Sequence, residues 1–212
     1  MKKVRVFILL TCAFFLSACA SNTIQQTETE VKSEVENSLL KDYISNPQVP
    51  DDRELLKVGE TYRDEKGEIT LKQINHLNET VDIGPIQLTF KEMKVIHLNP
   101  DYSLVDYFHV LTHEEEFDFV KVFVEIENTS SETVNFAPIA TIETSQGEQI
   151  PWENDIYLDG LNGVFEGNEK KFGNLGFIIE KSDLSSLKIT TSDVFSENEE
   201  KIADFQNIML EF

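Results

Sequence analysis

From Ile86 onward the chain alternates apolar and polar positions with a period of two, the pattern of strands that bury one face and wet the other. Val120, Val122, Val124 and Ile126 share one face of a strand, with Lys121, Glu125 and Glu127 opposite and Phe123 interrupting the polar side. The same alternation recurs in Ile86, Leu88 and Phe90, in Leu175, Phe177 and Ile179, in Leu187, Ile189 and Thr191, and in Ile208, Leu210 and Phe212. Turn-forming clusters separate these runs: Asn128-Thr129-Ser130-Ser131, Ser145-Gln146-Gly147-Glu148 and Glu166-Gly167-Asn168. Short strands joined by local turns predict an all-β, antiparallel β-sandwich over residues 57–212. A helical period surfaces in two places. Val31, Val35 and Leu39 suggest a short amphipathic helix over 30–42, and Leu104, Phe108 and Leu111 suggest another, with Asp101 or Ser103 as its N-cap.

The first residues follow a different pattern. Lys2, Lys3 and Arg5 precede an uncharged, mostly apolar run from Val6 to Ala18, too short to span a bilayer core and of the length a secretory signal uses. It ends in Leu16-Ser17-Ala18-Cys19, which resembles the lipobox of bacterial lipoproteins. That resemblance implies removal of residues 1–18 and a diacylglyceryl lipid on Cys19. Two acyl chains hold a protein on a membrane where one is marginal. Cys12 would leave with the signal, so the mature chain has no disulfide available. From Ala20 to Pro50 there is no Gly, Phe or Trp, and the polar run Gln25 to Glu30 builds no core. Residues 19–56 therefore read as a lipidated, largely disordered acidic tether.

Within the sandwich region, VKVFVEIENTSSETVN from Val120 to Asn135, Thr144-Ser145-Gln146-Gly147, and GNEKKFGNLGFII from Gly167 to Ile179 resemble the telokin-like immunoglobulin-fold domain of uncharacterised lipoproteins from low-GC Gram-positive bacteria. The resemblance implies an immunoglobulin-like sandwich on the outer leaflet of the cytoplasmic membrane, facing the extracytoplasmic side. The sequence shows no catalytic motif, so no enzymatic activity and no cofactor are expected.

Charge narrows the function. The formal net charge of −21 becomes −24 once Lys2, Lys3 and Arg5 leave with the signal, which excludes nonspecific nucleic-acid binding. No Gly-x-Ser-x-Gly elbow occurs. Two places offer metal-ligating side chains. Asp155 and Asp159, with Asn162 and Glu166, supply hard oxygen atoms without the spacing of a calcium loop. His109 and His113 stand at i, i+4, but Val110 occupies the position where a zincin has Glu. The two histidines with neighbouring carboxylates make an extracytoplasmic metal sensor or metal-dependent enzyme the alternative reading.

The stretch Asn99 to Phe117 separates two strands by more than a sandwich loop normally takes. Tyr102, Tyr107 and His109 on it form the candidate surface for an envelope protein partner. The expected molecule is a membrane-anchored, non-catalytic protein-binding or scaffold module.

Overall fold

The computed structural model describes residues 45–212. The signal segment, Cys19, the tether up to residue 44 and the helix expected over 30–42 lie outside the described residues. In chain order the strands are β1 (Thr61–Asp64), β2 (Gly67–Ile83), β3 (Ile86–Pro100), β4 (Phe117–Asn128), β5 (Val134–Phe136), β6 (Thr141–Thr144), β7 (Gln149–Pro151), β8 (Gly163–Phe165), β9 (Lys170–Ile179), β10 (Ser186–Thr190), β11 (Val194–Ser196), β12 (Lys201–Ala203) and β13 (Asn207–Glu211). All pairings are antiparallel. One sheet runs β1-β2-β3-β4-β9, a second β13-β10-β6-β7, and a third β12-β11-β5-β8.

The fold is an all-β antiparallel sandwich with a short helical excursion. One face of the five-stranded sheet packs on the two smaller sheets. Val120, Val122, Val124 and Ile126 of β4 meet Leu88, Phe90, Met93 and Val95 of β3 across the ladder, and Leu175 and Phe177 of β9 extend the same face. Opposite them lie Ile142, Leu187, Ile189 and Leu210 from the second sheet, with Val134, Phe136, Phe165 and Val194 from the third. A fully buried Val, Leu, Ile, Phe or Met side chain contributes about 1.5–3 kcal/mol, and this interior is built of them.

The outer face of the five-stranded sheet carries a second apolar cluster that the alternation in the sequence does not announce. Ile69 and Leu71 of β2, Ile96 and Leu98 of β3, and Phe117 and Phe119 of β4 line it. Three segments cover it: residues 45–56, the excursion after β3, and the stretch that follows β7. Ile156 and Tyr157 come from the last of these. Gly176 lets Tyr157 lie against β9, because a Cβ at that position would come within 2.7 Å of the tyrosine ring.

Two expectations change here. Residues 45–56, read with the tether for want of apolar content, are packed: Val49 and Leu55 are buried in the second cluster, and Asn46 and Asp52 are buried as well. Asn46 accepts the backbone N–H groups of Gln48 and Val49 and donates to the carbonyl of Tyr157 at 2.6 Å. Lys121, placed on a solvated face, is instead buried beside Lys94, its register partner on β3. The reason lies in a charge that residues 45–56, a strap across the outer face of the sheet, supply. Asp52 accepts from Lys94 Nζ at 2.9 Å and from Lys121 Nζ, and Glu92 lies 3.1 and 3.3 Å from the same two ammonium groups. Burial alone would raise the Asp52 carboxyl, but the two lysines beside it hold it below the ordinary aspartate range. Burial alone would depress Lys121, and Asp52 and Glu92 hold it above the ordinary lysine range.

The excursion is helical as its spacing predicts. A 3-10 turn over Tyr102–Leu104 leads into α1 (Val105–Phe108), and Asp101 caps the turn by accepting from the Ser103 backbone N–H. Phe108 is buried, edge-on to Phe117 with ring centroids 5.1 Å apart.

Candidate functional site

A cleft of about 840 Å³ opens at one end of the sandwich, between the five-stranded sheet and the β6–β7 hairpin. Its geometry follows from strand register. His97 on β3 and Asp118 on β4 are directly paired positions at the end of the inner face, one step beyond the Val95–Val120 pair that closes the core. Their side chains meet there: His97 Nδ1 lies 2.8 Å from Asp118 Oδ1, and Lys72 of β2 reaches the other oxygen of Asp118 at 3.4 Å. Glu116 lies 3.7 Å from His97 Nε2, so the ring has a carboxylate at each nitrogen.

The far wall comes from the β6–β7 hairpin and the chain after β9. Glu148 accepts from the backbone N–H groups of Glu180 and Lys181 at 2.8 and 3.2 Å, which holds the two walls together. Leu111, Phe117, Ile150, Ile178 and Ile179 give the cleft apolar lining, and Glu114 and Glu180 add carboxylates at its edge. The Asp118–His97 hydrogen bond fixes the orientation of the imidazole, and its second nitrogen faces the Glu116 carboxylate.

The residues singled out from the sequence are distributed differently. Tyr102 is 92% exposed, and His109, which follows α1, is exposed too. Tyr107 is half-buried: its hydroxyl donates to the Ile156 carbonyl at 3.1 Å and its ring stands edge-on to Phe108 at 5.0 Å. Burial, with the Asp155 charge adding to it, raises the Tyr107 hydroxyl above the ordinary tyrosine range. The three residues therefore divide between packing and exposure and do not line one pocket. The helix ends at Phe108, so His109 and His113 do not stand on successive turns of one helix. Among the described residues no group of three or more His, Cys, Asp or Glu is placed to hold a metal ion.

Asp155 and Asp159 have a structural use. β9 is an edge strand, and the backbone N–H groups of residues 174 and 176 point away from β4. Asp155 accepts from Gly176 N at 2.8 Å, and Asp159 accepts from Asn174 N at 2.9 Å. Asp155 also accepts from Tyr157 and Leu158, closing a turn in which Leu158 takes a left-handed backbone at φ 54. The two carboxylates thus occupy the donors that a foreign strand would pair with.

Burial raises Asp155 to about 6, partly offset by the three backbone donors and reinforced by Asp159. A carboxyl whose folded pKa exceeds its unfolded value binds its proton more tightly when folded, so stability falls as pH rises between the two values. From the unfolded value of 3.8 up to about 6, Asp155 should withdraw about 3 kcal/mol. Asp155→Asn should remove that slope, measured as urea unfolding at pH 4 and pH 6.5. An equal pH dependence in the two proteins would refute the assignment.

No family model matches the chain. The uncharacterised protein YdhF of Bacillus subtilis (strain 168) is 47% identical to it over 234 residues, covering 98% of this chain and 99% of YdhF. YonS, an SPbeta prophage-derived uncharacterised lipoprotein of the same bacterium, is 29% identical over 153 residues, 70% of this chain and 68% of its own. A functionally unknown protein of Listeria monocytogenes EGD-e, solved by crystallography, superposes with a TM-score of 0.51 at 14% identity, covering 69% of this chain and 88% of that one. That last likeness is one of fold alone.

Proposed function

The chain belongs to the family of YdhF, and from that footing we propose that it is a lipid-anchored extracytoplasmic module that binds an envelope protein through the cleft beside His97 and Asp118. Anchoring is supported by the lipobox at Cys19 and by similarity to YonS, a protein described as a lipoprotein. No helix of the described residues is long and apolar enough to cross a membrane. We read the sandwich as the telokin-like immunoglobulin type, held by residues 20–44 off the outer leaflet of a Gram-positive cytoplasmic membrane.

The observation that carries the binding role is the cleft itself. It is set at the end of paired strands, combines apolar lining with a few convergent polar groups, and has the volume of a small-molecule site, about 300–1,000 Å³, room enough for a few side chains of a partner. It replaces the tyrosine-bearing excursion as the preferred surface, because Tyr107 is committed to packing and the excursion forms one wall of the cleft through Leu111 and Thr112.

Both parts are testable in cells. Cys19→Ala should leave an uncleaved precursor or shed the protein into the medium, since the acyl chains are lost. A correctly cleaved Cys19→Ala protein that stays with the membrane rules out the anchor. A photo-crosslinking residue in place of Thr112 should give a discrete adduct that the same residue in place of Glu197, outside the cleft, does not. Equal yields at the two positions would remove the cleft from consideration.

A further inference from the structure

Resting on the reading of the cleft as the binding site, we propose that its occupant is a basic peptide segment, an extended run bearing lysine or arginine side chains on a partner protein. The cleft is unbalanced in charge. Glu114, Glu116, Asp118, Glu148 and Glu180 line it against Lys72 and His97, and Lys72 is already engaged by Asp118 at 3.4 Å. Glu116 faces His97, and among the described residues neither Glu114 nor Glu180 has a lysine or arginine within ion-pair distance.

This differs from the acidic positions on the outer face of the sheet, where the chain neutralises itself. Glu125 there is shared by Lys91 and Lys170, and Glu127 is held by Lys170 at 2.9 Å. The cleft carboxylates converge from three separate segments, the end of the excursion, the β6–β7 hairpin and the residue after β9, so the fold assembles them rather than the local sequence. Apolar walls under a carboxylate rim match the two halves of a lysine or arginine side chain, whose methylene stem packs while its head stays at the polar edge. The volume of about 840 Å³ is too large for a lone metal ion or ammonium group and suits several side chains of a segment.

The test uses the full mature chain in detergent, titrated at physiological salt with an octapeptide alternating lysine and leucine. Matched glutamine–leucine and glutamate–leucine octapeptides serve as comparisons. Trp152 is the sole tryptophan, two residues from the cleft-lining Asn154, and its emission reports binding. Hydrogen exchange over residues 110–118 locates it. The lysine peptide should bind and protect that stretch. Glu114→Gln, Glu116→Gln and Glu180→Gln together should weaken it about tenfold, the combined effect of three exposed ion pairs. All three positions are exposed, so the melting temperature should hold. Neutralising Glu197, Glu199 and Glu200, exposed residues outside the cleft, removes the same charge and should change affinity less than about twofold if the site is local. Equal weakening by both triple variants reduces the effect to bulk charge and overturns the proposal. Protection of the cleft by the glutamine or glutamate peptide as tight as by the lysine peptide overturns the ligand class while leaving the cleft as a binding site. If none of the three peptides protects 110–118, the cleft reading falls with it.

Discussion

Asp52→Ala is expected to lower the unfolding free energy by about 3–5 kcal/mol, because it strands two buried ammonium groups. Lys94 has no exposed surface and Lys121 only 3%, and they sit at paired positions on neighbouring strands, where like charges repel. Asp52 meets both, and its backbone carbonyl accepts from Lys94 at 2.8 Å as well. Glu92 is left to neutralise one lysine of two. The pH dependence has a definite sign. A carboxyl whose folded pKa lies below its unfolded 3.8 stabilises fully above that value and loses its contribution as pH falls through the lower folded one. The gap between wild type and Asp52→Ala should therefore be widest at neutral pH and narrow below about pH 4. Urea titrations at pH 7 and pH 3 measure it; a neutral-pH difference under about 1 kcal/mol would show that water reaches the lysines once the carboxylate is gone.

Removing residues 45–56 should be more damaging still. A chain beginning at Lys57 loses Asp52 together with Val49 and Leu55, two side chains each worth about 1.5–3 kcal/mol of burial. It also uncovers Ile69, Leu71, Ile96 and Leu98. The combined loss, about 6 kcal/mol or more, rivals the whole stability of an ordinary domain. The shortened chain is expected to unfold without a cooperative transition or to bind hydrophobic dyes, whereas a chain beginning at residue 45 keeps the transition. Equal denaturation midpoints for the two would mean that the strap rests on the domain without stabilising it.

The contrast shows what sequence periodicity sees. β4 was legible from Val120 to Ile126 because one face is apolar throughout, and the turns at Asn128 and Gly147 were legible from their side chains. Asp101 was readable as a cap. The second apolar cluster was not readable, because Phe117, Phe119 and Lys121 share a face of β4 that mixes aromatic and charged residues, and a strand buried on both faces carries no alternation. β2 escaped notice for the opposite reason: from Gln73 to Thr80 it is mostly polar and partly exposed. The strap was assigned by composition, which counts Val49 and Leu55 as too few without seeing that a distant cluster receives them. In the sequence Asp155 and Asp159 stand only as weak candidate oxygen ligands in a solvated loop, whereas their partners are amides on β9, 21 and 15 residues away. The cleft was hidden most deeply. His97 and Asp118 become neighbours only once the β3–β4 register is known, and each alone is an ordinary polar residue at a strand end.

The strap is also the point where everything upstream of residue 45 joins the folded body, and its lock sits on β3 and β4, the inner strands of the five-stranded sheet. Tension along the upstream chain therefore meets Asn46 on Tyr157 and the buried Val49, then the charged clasp at the middle of the sheet, before it can reach the short edge strand β1. Peeling β1 would break its ladder one hydrogen bond at a time, but pulling on the strap loads Asp52 against Lys94 and Lys121 together. In the anchored reading proposed above, the clasp acts as a strain relief between the lipid attachment and a cleft that must keep its shape.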